Sequence, residues 1–379
     1  MHSEQFSWNK HHGWQPNLPQ TVGAKAQLVL VFGSCCQLTA PGSLAALREA
    51  YPQARLFGCS TADGIQGERV MSNSLTATAI TFDHTQVQLA QVEINTSSES
   101  FQAGAQLGQQ LNHPDLTHVF VLSDGLMING SALIQGLASH LPAHVPVTGG
   151  LAGDGERFQS TLVLAGNTLK PGLVAAVGFY GQRLKVGYGS LGGWKPFGPE
   201  RLITRSKGNM LYELDGKSAL ALYKHYLGEH ARGLPATALL FPLSLRTSPD
   251  ETGVVRTILS IDEATQSLTF AGDMPEGTYA RLMMSNCDRL IDGAIGAAKT
   301  SYFALGNTPP ELAILISCFG RKLVLKQRVE EEIESVYEIF GQRTVLTGFY
   351  SYGEISPFSQ HTSCELHNQT MTITTFTEV

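Results

Sequence analysis

The sequence predicts an α/β protein: mixed β-sheets with packed helices, built as repeated strand–helix–strand units and divided into two domains. Three observations carry this. Short β-branched runs alternate with helical periodicity; a strand ending in Gly is followed each time by an acidic Gly-containing turn; and the 39 glycines call for many tight turns and close backbone approaches. The hydrophobic share is 42% and the charged share 15%, which suits large packed cores rather than a disordered chain.

The first unit reads "AQLVLVFGSCC", "GSLAALREAYP", "ARLFGCSTADGI", "SLTATAITF". The second reads "THVFVLSDGLMING", "SALIQGLASHLP", "VPVTGGLAGDGE", "STLVLAG". The third reads "LAILISCFGRK", "VEEEIESVYEIFG", "VLTGFYSYGEISP", "CELHNQTMTITTF". Each predicts strand, polar turn, helix, strand, acidic turn, strand. In the third, Val329, Ile333, Val336, Tyr337 and Phe340 fall on one face of a 3.6-residue helix. In the second, Leu133, Leu137 and Leu141 recur every four residues. Alternation in "TMTITTF" puts Met371, Ile373 and Phe376 near one face and threonines on the other. Coincidence within ordinary α/β architecture competes with a true repeat, since only pattern, Gly and acid recur.

Between the second and third units the chain reads as β-rich. "GLVAAVGFYGQRLKVGYG" predicts antiparallel neighbours around Gly181-Gln182, and "ERLITRSKGNMLYELDG" two more around Lys207-Gly208. Ser218 is positioned to cap "ALALYKHYLG", stopped at Gly228. "ATALLFPLSL", "VVRTILSI" and "QSLTFAG" predict strands, and "MMSNCDRLIDGAIGAAKTSYFAL" a strand entering a helix near Asn286 or Asp288. Gly192, Gly193, Pro196, Gly198 and Pro199 place a boundary at about 195–215, dividing the chain into 25–205 and 206–379.

Net charge is −6 with no basic stripe, which argues against nucleic acid. The start has no apolar h-region of a signal peptide, and no run approaches the roughly 20 apolar residues of a spanning helix. A cytoplasmic chain without membrane contact is expected. The six scattered cysteines then read as free thiols.

The acids of the three turns are Asp63, Asp154 and Glu354. Either they accept from a bound cation, or they satisfy turn amides. Three equivalent positions favour a shared cleft, because ligands of α/β folds gather at strand C-terminal ends. Arg321 follows a strand toward the same edge as Tyr350, Tyr352 and Glu354. A guanidinium, a carboxylate and tyrosine rings are the inventory of a site for an amino-acid-like or carboxylate ligand. An internal Arg321–Glu354 pair is the structural alternative. No GxSxG, HExxH or Walker A motif occurs. Cys35 or Cys318 at a strand end is a candidate nucleophile, but neither has a histidine close in sequence, and a small buried thiol explains each better. His225 and His367 are metal-ligand candidates, without an HxH or HxxxH pair to support them. The paired His11-His12 sit in an N-terminus for which no structure is predicted.

"LFGCSTADGI", "VLSDGLMING", "VTGGLAGDGERF", "VAAVGFYG", "MLYELDGKSALALYKHYLG", "CFGRK", "GFYSYGEISP" and "LHNQTMTITTF" together resemble the FIST family, two-part sensory proteins with FIST-N and FIST-C domains. The resemblance spans about residues 25–378. It implies a non-enzymatic, cytoplasmic sensor in bacterial signal transduction that binds a small molecule such as an amino acid. It also implies a separate signalling partner such as a histidine kinase. One stand-alone subgroup binds haem and senses nitric oxide, which makes non-covalent haem b a candidate cofactor, with His367 or His225 on the iron. Asp124, Gly150, Asp154 and Asn368, which stand in these motifs, join Arg321, Tyr350, Tyr352 and Glu354 as candidate ligand-binding residues. A metabolite sensor without haem and a cysteine-dependent enzyme of the same architecture are the alternatives.

Overall fold

The computed structural model describes residues 1–19, 25–248, 253–357 and 364–379. Three sheets follow one recipe: two parallel strands joined through a helix, with a later strand returning antiparallel beside the first. In the first sheet Leu28–Gly33 and Arg55–Ser60 run parallel, and Leu75–Thr81 flanks the former. In the second, Leu116–Ser123 and Val147–Leu151 run parallel, and Leu173–Tyr180 flanks the former. In the third, Leu312–Cys318 and Val345–Ser351 run parallel, and Met371–Glu378 flanks the former. His2–Asn9, Gln86–Glu93 and Leu184–Leu191 extend the three sheets on that side.

The other edge of each sheet is filled from a different unit. The chain leaving Arg55–Ser60 forms the hairpin Gly64–Gln66 with Arg69–Met71, which pairs with Val345–Ser351 of the third sheet. The chain leaving Val147–Leu151 forms Val163–Ala165 with Thr168–Lys170, which pairs with Arg55–Ser60. The chain leaving Val345–Ser351 forms Gly353–Pro357 with Cys364–His367, which pairs with Val147–Leu151. The first unit gives to the third, the third to the second and the second to the first, so the exchange closes on itself. The three units are therefore a real structural repeat.

The recurring glycine has a steric reason. Gly58, Gly149 and Gly348 stand opposite Val31, Val121 and Leu315 in the parallel registers. A Cβ at any of the three would lie 1.8 Å from the carbonyl oxygen of its partner. Gly149 and Gly348 also have φ of +152° and +159°, which side chains rarely adopt.

The inner faces of the sheets share one core. Phe32 and Phe57, Phe120 and Leu122, and Ile316 and Phe349 come from the first, second and third sheets, and Phe32 stacks on Phe349 at 4.7 Å. Each such side chain contributes on the order of 2 kcal/mol when fully buried. The outer faces carry the helices Ser43–Ala50, Ser100–Leu111 with Gly130–Ala138, and Cys287–Ala304 with Val329–Phe340. The expected face of the last helix holds: Ile333, Val336 and Phe340 are buried.

Residues 195–286 make a separate antiparallel sheet with the helix Ala219–Leu227, packed round Ile203, Leu211, Tyr223 and Phe270. Ser218 caps that helix, accepting from Ala221 N at 3.1 Å, and Asn286 caps Cys287–Ala304. Among the described residues no helix is long and apolar enough to cross a membrane.

Four expectations are corrected. "STLVLAG" is not the closing strand of its unit; Val163–Ala165 belongs to the first sheet, and Leu173–Tyr180 closes the second. The strands around Gly181-Gln182 are not neighbours, because Leu184–Leu191 pairs with Met371–Glu378 instead. Phe376 turns to the shared core while Met371 and Ile373 face the helices, as strand parity requires. In "ATALLFPLSL" only Leu243–Arg246 is a strand, since Ala236–Leu240 coils into a 3₁₀ turn. The N-terminus, where no element was expected, supplies His2–Asn9 and Gly13–Gln15.

Candidate functional site

The three acidic turns lie where the hairpins cross between sheets, and each carboxylate is met by donors of the protein. Asp63 pairs with Lys322, whose ammonium stands 5.7 Å from the Tyr350 ring centre. Burial pulls Lys322 below its ordinary pKa. Asp154 accepts from the Tyr352 hydroxyl and, at 3.0 Å each, from Gln159 N and Ser160 N. Phe158 stacks on Tyr352 at 4.5 Å and 10°. Glu354 accepts from Ser351 Oγ at 2.5 Å, Thr370 N at 3.1 Å and Thr370 Oγ1 at 2.9 Å. Burial pushes its carboxyl up to about 7.

Arg321 and Glu354 do not face each other across a rim. Both are completely buried. Arg321 pairs with Glu332 at 2.8 Å and donates to Gly192 O at 2.5 Å and Leu290 O at 2.8 Å. Tyr350, also buried, donates its hydroxyl to Glu332 at 2.9 Å, and Ser317 does the same at 2.9 Å. A charge removed from water persists only with such partners. Glu332 escaped notice because it stands in Glu330, Glu331, Glu332 and Glu334, which reads as a solvated run. Its spacing from Val329 and Val336 on the buried face is the signal that would have found it.

The other candidates are placed as follows. Asp124 closes its own turn, accepting from Leu126 N at 2.8 Å, Met127 N at 2.7 Å and Gly172 N at 3.1 Å. Asn129 is the plain cap of the next helix, accepting from Ala132 N. Gly150 pairs with Glu354, and a Cβ there would stand 3.0 Å from Ile316 Cγ2, inside the core. Asn368 bridges two elements, donating to Tyr352 O and accepting from Thr257 N, each at 3.3 Å. His225 is exposed on its helix. His367 is buried, and its Nε2 stands 2.8 Å from Ser356 O. Burial holds His367 neutral, with its pKa lowered to about 4.

A cavity of about 330 Å³ is lined by residues that Arg321 and Glu354 hold from behind. Ser190–Trp194 form one side, Arg246 and Arg281 of the 195–286 sheet the second, and His367, Asn368 and Thr370 the third. Arg321 holds the Gly192 carbonyl and Glu354 holds Thr370, so both build the wall from behind. Within the cavity, Arg246 binds Glu200 through two nitrogens at 2.6 and 2.8 Å. That hydrogen-bonded guanidinium, with Arg281 beside it, holds the Glu200 carboxyl below its usual value. Arg281 donates Nε to Gly198 O at 2.9 Å. Arg246, Arg281 and Glu200 are the residues with permanently charged side chains that line the cavity among the described residues. Arg246, Arg281, Glu200 and Trp194 were not singled out in the sequence, where nothing local marks them.

The residues present do not fit a haem. His225 is exposed on its helix, and His367 is buried with its Nε2 committed to the Ser356 carbonyl. The cavity that His367 lines is small and sets the charged Glu200, Arg246 and Arg281 beside its apolar surface. Neither strand-end thiol is prepared for nucleophilic work: burial pushes Cys318 well up, and Cys35 up as well.

The fold and cavity define a class: interlocked α/β sheets with a small charged cleft at the seam with a further β-domain. Residues 27–217 match the FIST N domain and residues 219–357 the FIST C domain. The chain belongs to the FIST family, whose domains are associated with sensing in signal transduction. An uncharacterised protein of Methanocaldococcus jannaschii is 24% identical over 214 residues, which cover 52% of this chain and 40% of that protein's length. The cleft takes walls from both matched domains and from residues beyond them at 367–370.

Proposed function

We propose that this protein is a non-enzymatic sensor of a small amino-acid-like metabolite, which binds in the cleft of Arg281 and Glu200 and acts through a separate signalling partner such as a histidine kinase. The observation that carries the reading is the cleft's position and charge together. It lies at the seam of the two family domains, and it presents the Arg281 guanidinium to a ligand carboxylate beside the Glu200–Arg246 pair. Binding there contacts Ser190–Trp194 and the 195–286 sheet at once, so a ligand that prefers one seam geometry shifts its population.

Isothermal calorimetry with the twenty amino acids tests this. At least one is expected to bind wild type and to raise its melting temperature. Arg281→Ala removes binding, because it deletes the carboxylate partner without touching the buried network. If no amino acid binds, or if Arg281→Ala binds as wild type does, the reading fails.

A further inference from the structure

A second cavity, of about 440 Å³, lies on the other side of Arg246, which lines both. This volume falls within the roughly 300–1,000 Å³ of ordinary ligand sites. One wall is a single stripe of the helix Gly130–Ala138: Ser131, Ile134, Gln135 and Ala138, spaced three, four and seven residues from the first. The facing wall is Leu245, Val254 and Arg256 of the 195–286 sheet, with Leu366 alongside.

The two ends differ in chemistry. At one end stands Arg256, only 8% exposed. Its Nη1 donates to Leu366 O at 2.7 Å, and its Nε reaches Asp273 O at 3.4 Å. Both acceptors are backbone carbonyls. Among the described residues no carboxylate is within ion-pair distance; Asp273 and Glu365, which also line the cavity, act on Arg256 from farther away. Asp273 is itself engaged by Asn129 Nδ2 at 2.8 Å. A buried guanidinium without a contacting anion is costly, and burial, only partly offset by Glu365 and Asp273, lowers this one to about 10. Beside it the Ser131 hydroxyl is buried with no partner among the described residues. Both flank Gly272, where a Cβ would lie 2.9 Å from Arg256 Nε and 3.1 Å from Ser131 Oγ, so the missing side chain keeps this end open. Ser131 also sits in the first turn of its helix, where the backbone dipole favours negative charge. Toward the other end the lining turns apolar, with Ile134, Ala138, Leu245 and Val254.

We propose that this cavity is a second ligand site, which takes a small organic acid carrying an apolar chain. The carboxylate lies against Arg256 and Ser131, and the chain runs between the helix stripe and the sheet. The site is separate from the amino-acid cleft, and Arg246 in both walls gives the two a shared element.

Octanoate is the probe, titrated calorimetrically into the full chain. Wild type is expected to bind it, and to bind octan-1-ol at least tenfold more weakly. Ala138→Trp places an indole into the apolar end from an exposed position, which the fold tolerates, and is expected to abolish octanoate binding. Val254→Phe narrows the same space from the sheet and gives the same result if the first variant misfolds. Arg281→Ala, in the other cleft, leaves octanoate binding unchanged, so loss of amino-acid binding and loss of octanoate binding separate the two sites. The proposal is overturned if wild type does not bind octanoate, if octan-1-ol binds equally well, or if folded Ala138→Trp and Val254→Phe both bind as wild type does.

Discussion

The ends of Leu116–Ser123 and Leu312–Cys318 occupy the same place in the repeat and neutralise a charge in opposite ways. In the second unit the charge is Asp124, and three backbone N–H groups of its own turn and of Gly172 satisfy it. In the third unit it is Arg321, and a side chain from the next helix, Glu332, satisfies it. One solution is local and uses backbone dipoles. The other is tertiary and uses a second charge. Matching strand ends in a repeat thus carry different chemistry, and a charged residue just past a strand end is no guarantee of a ligand.

The contrast breaks most visibly at Glu332. Glu332→Ala leaves the Arg321 guanidinium buried with carbonyls alone, and a loss of about 3–5 kcal/mol is expected in urea unfolding. Arg321→Met combined with Glu332→Leu removes both charges and restores most of it. A loss below about 1 kcal/mol in the single variant would show that water reaches the pair. Asp124→Ala comes next, at about 1–3 kcal/mol, because it strands backbone donors rather than a charge. Equal losses at Asp124 and Glu332 would erase the distinction.

The smallest effect is a slope. Glu354 is raised to about 7 from an ordinary 4.5, so the folded protein holds that proton more tightly than the unfolded chain. Its stabilising contribution is complete below pH 4.5 and is lost as pH rises through 7. Glu354→Gln removes this titration. Melting temperatures of the two proteins should therefore converge at low pH and separate between those values, with the wild type losing more. Parallel curves across the range would place Glu354 ionised in the fold.

Much of the fold was legible because it is written locally. The helix of Val329–Phe340, the cap at Ser218 and the repeated strand–Gly–acid pattern each follow from residues within a few positions of one another. The partners of the crossing hairpins were not legible. Gly64–Gln66 pairs with Thr347–Phe349, and no local pattern names a strand so distant in sequence. The site shows the same division. Glu354 and Arg321 stood out as charges in apolar surroundings, and they do support the cleft from behind. Arg246 and Arg281 stand in strands of unremarkable composition, and only the packing of the 195–286 sheet against Ser190–Trp194 makes them neighbours of His367 and Thr370.

The ring of exchanged hairpins bears on how the protein is made. As the chain leaves the ribosome, the first sheet stays incomplete until Val163–Ala165 has emerged, and the second until Gly353–Pro357 has. Meanwhile Gly64–Gln66 has no strand to join until the last part is translated. Long-range pairing of this kind folds slowly, and its waiting edges are open to foreign strands. The nascent chain therefore spends most of its synthesis with unpaired edges exposed, the state in which a chaperone matters most.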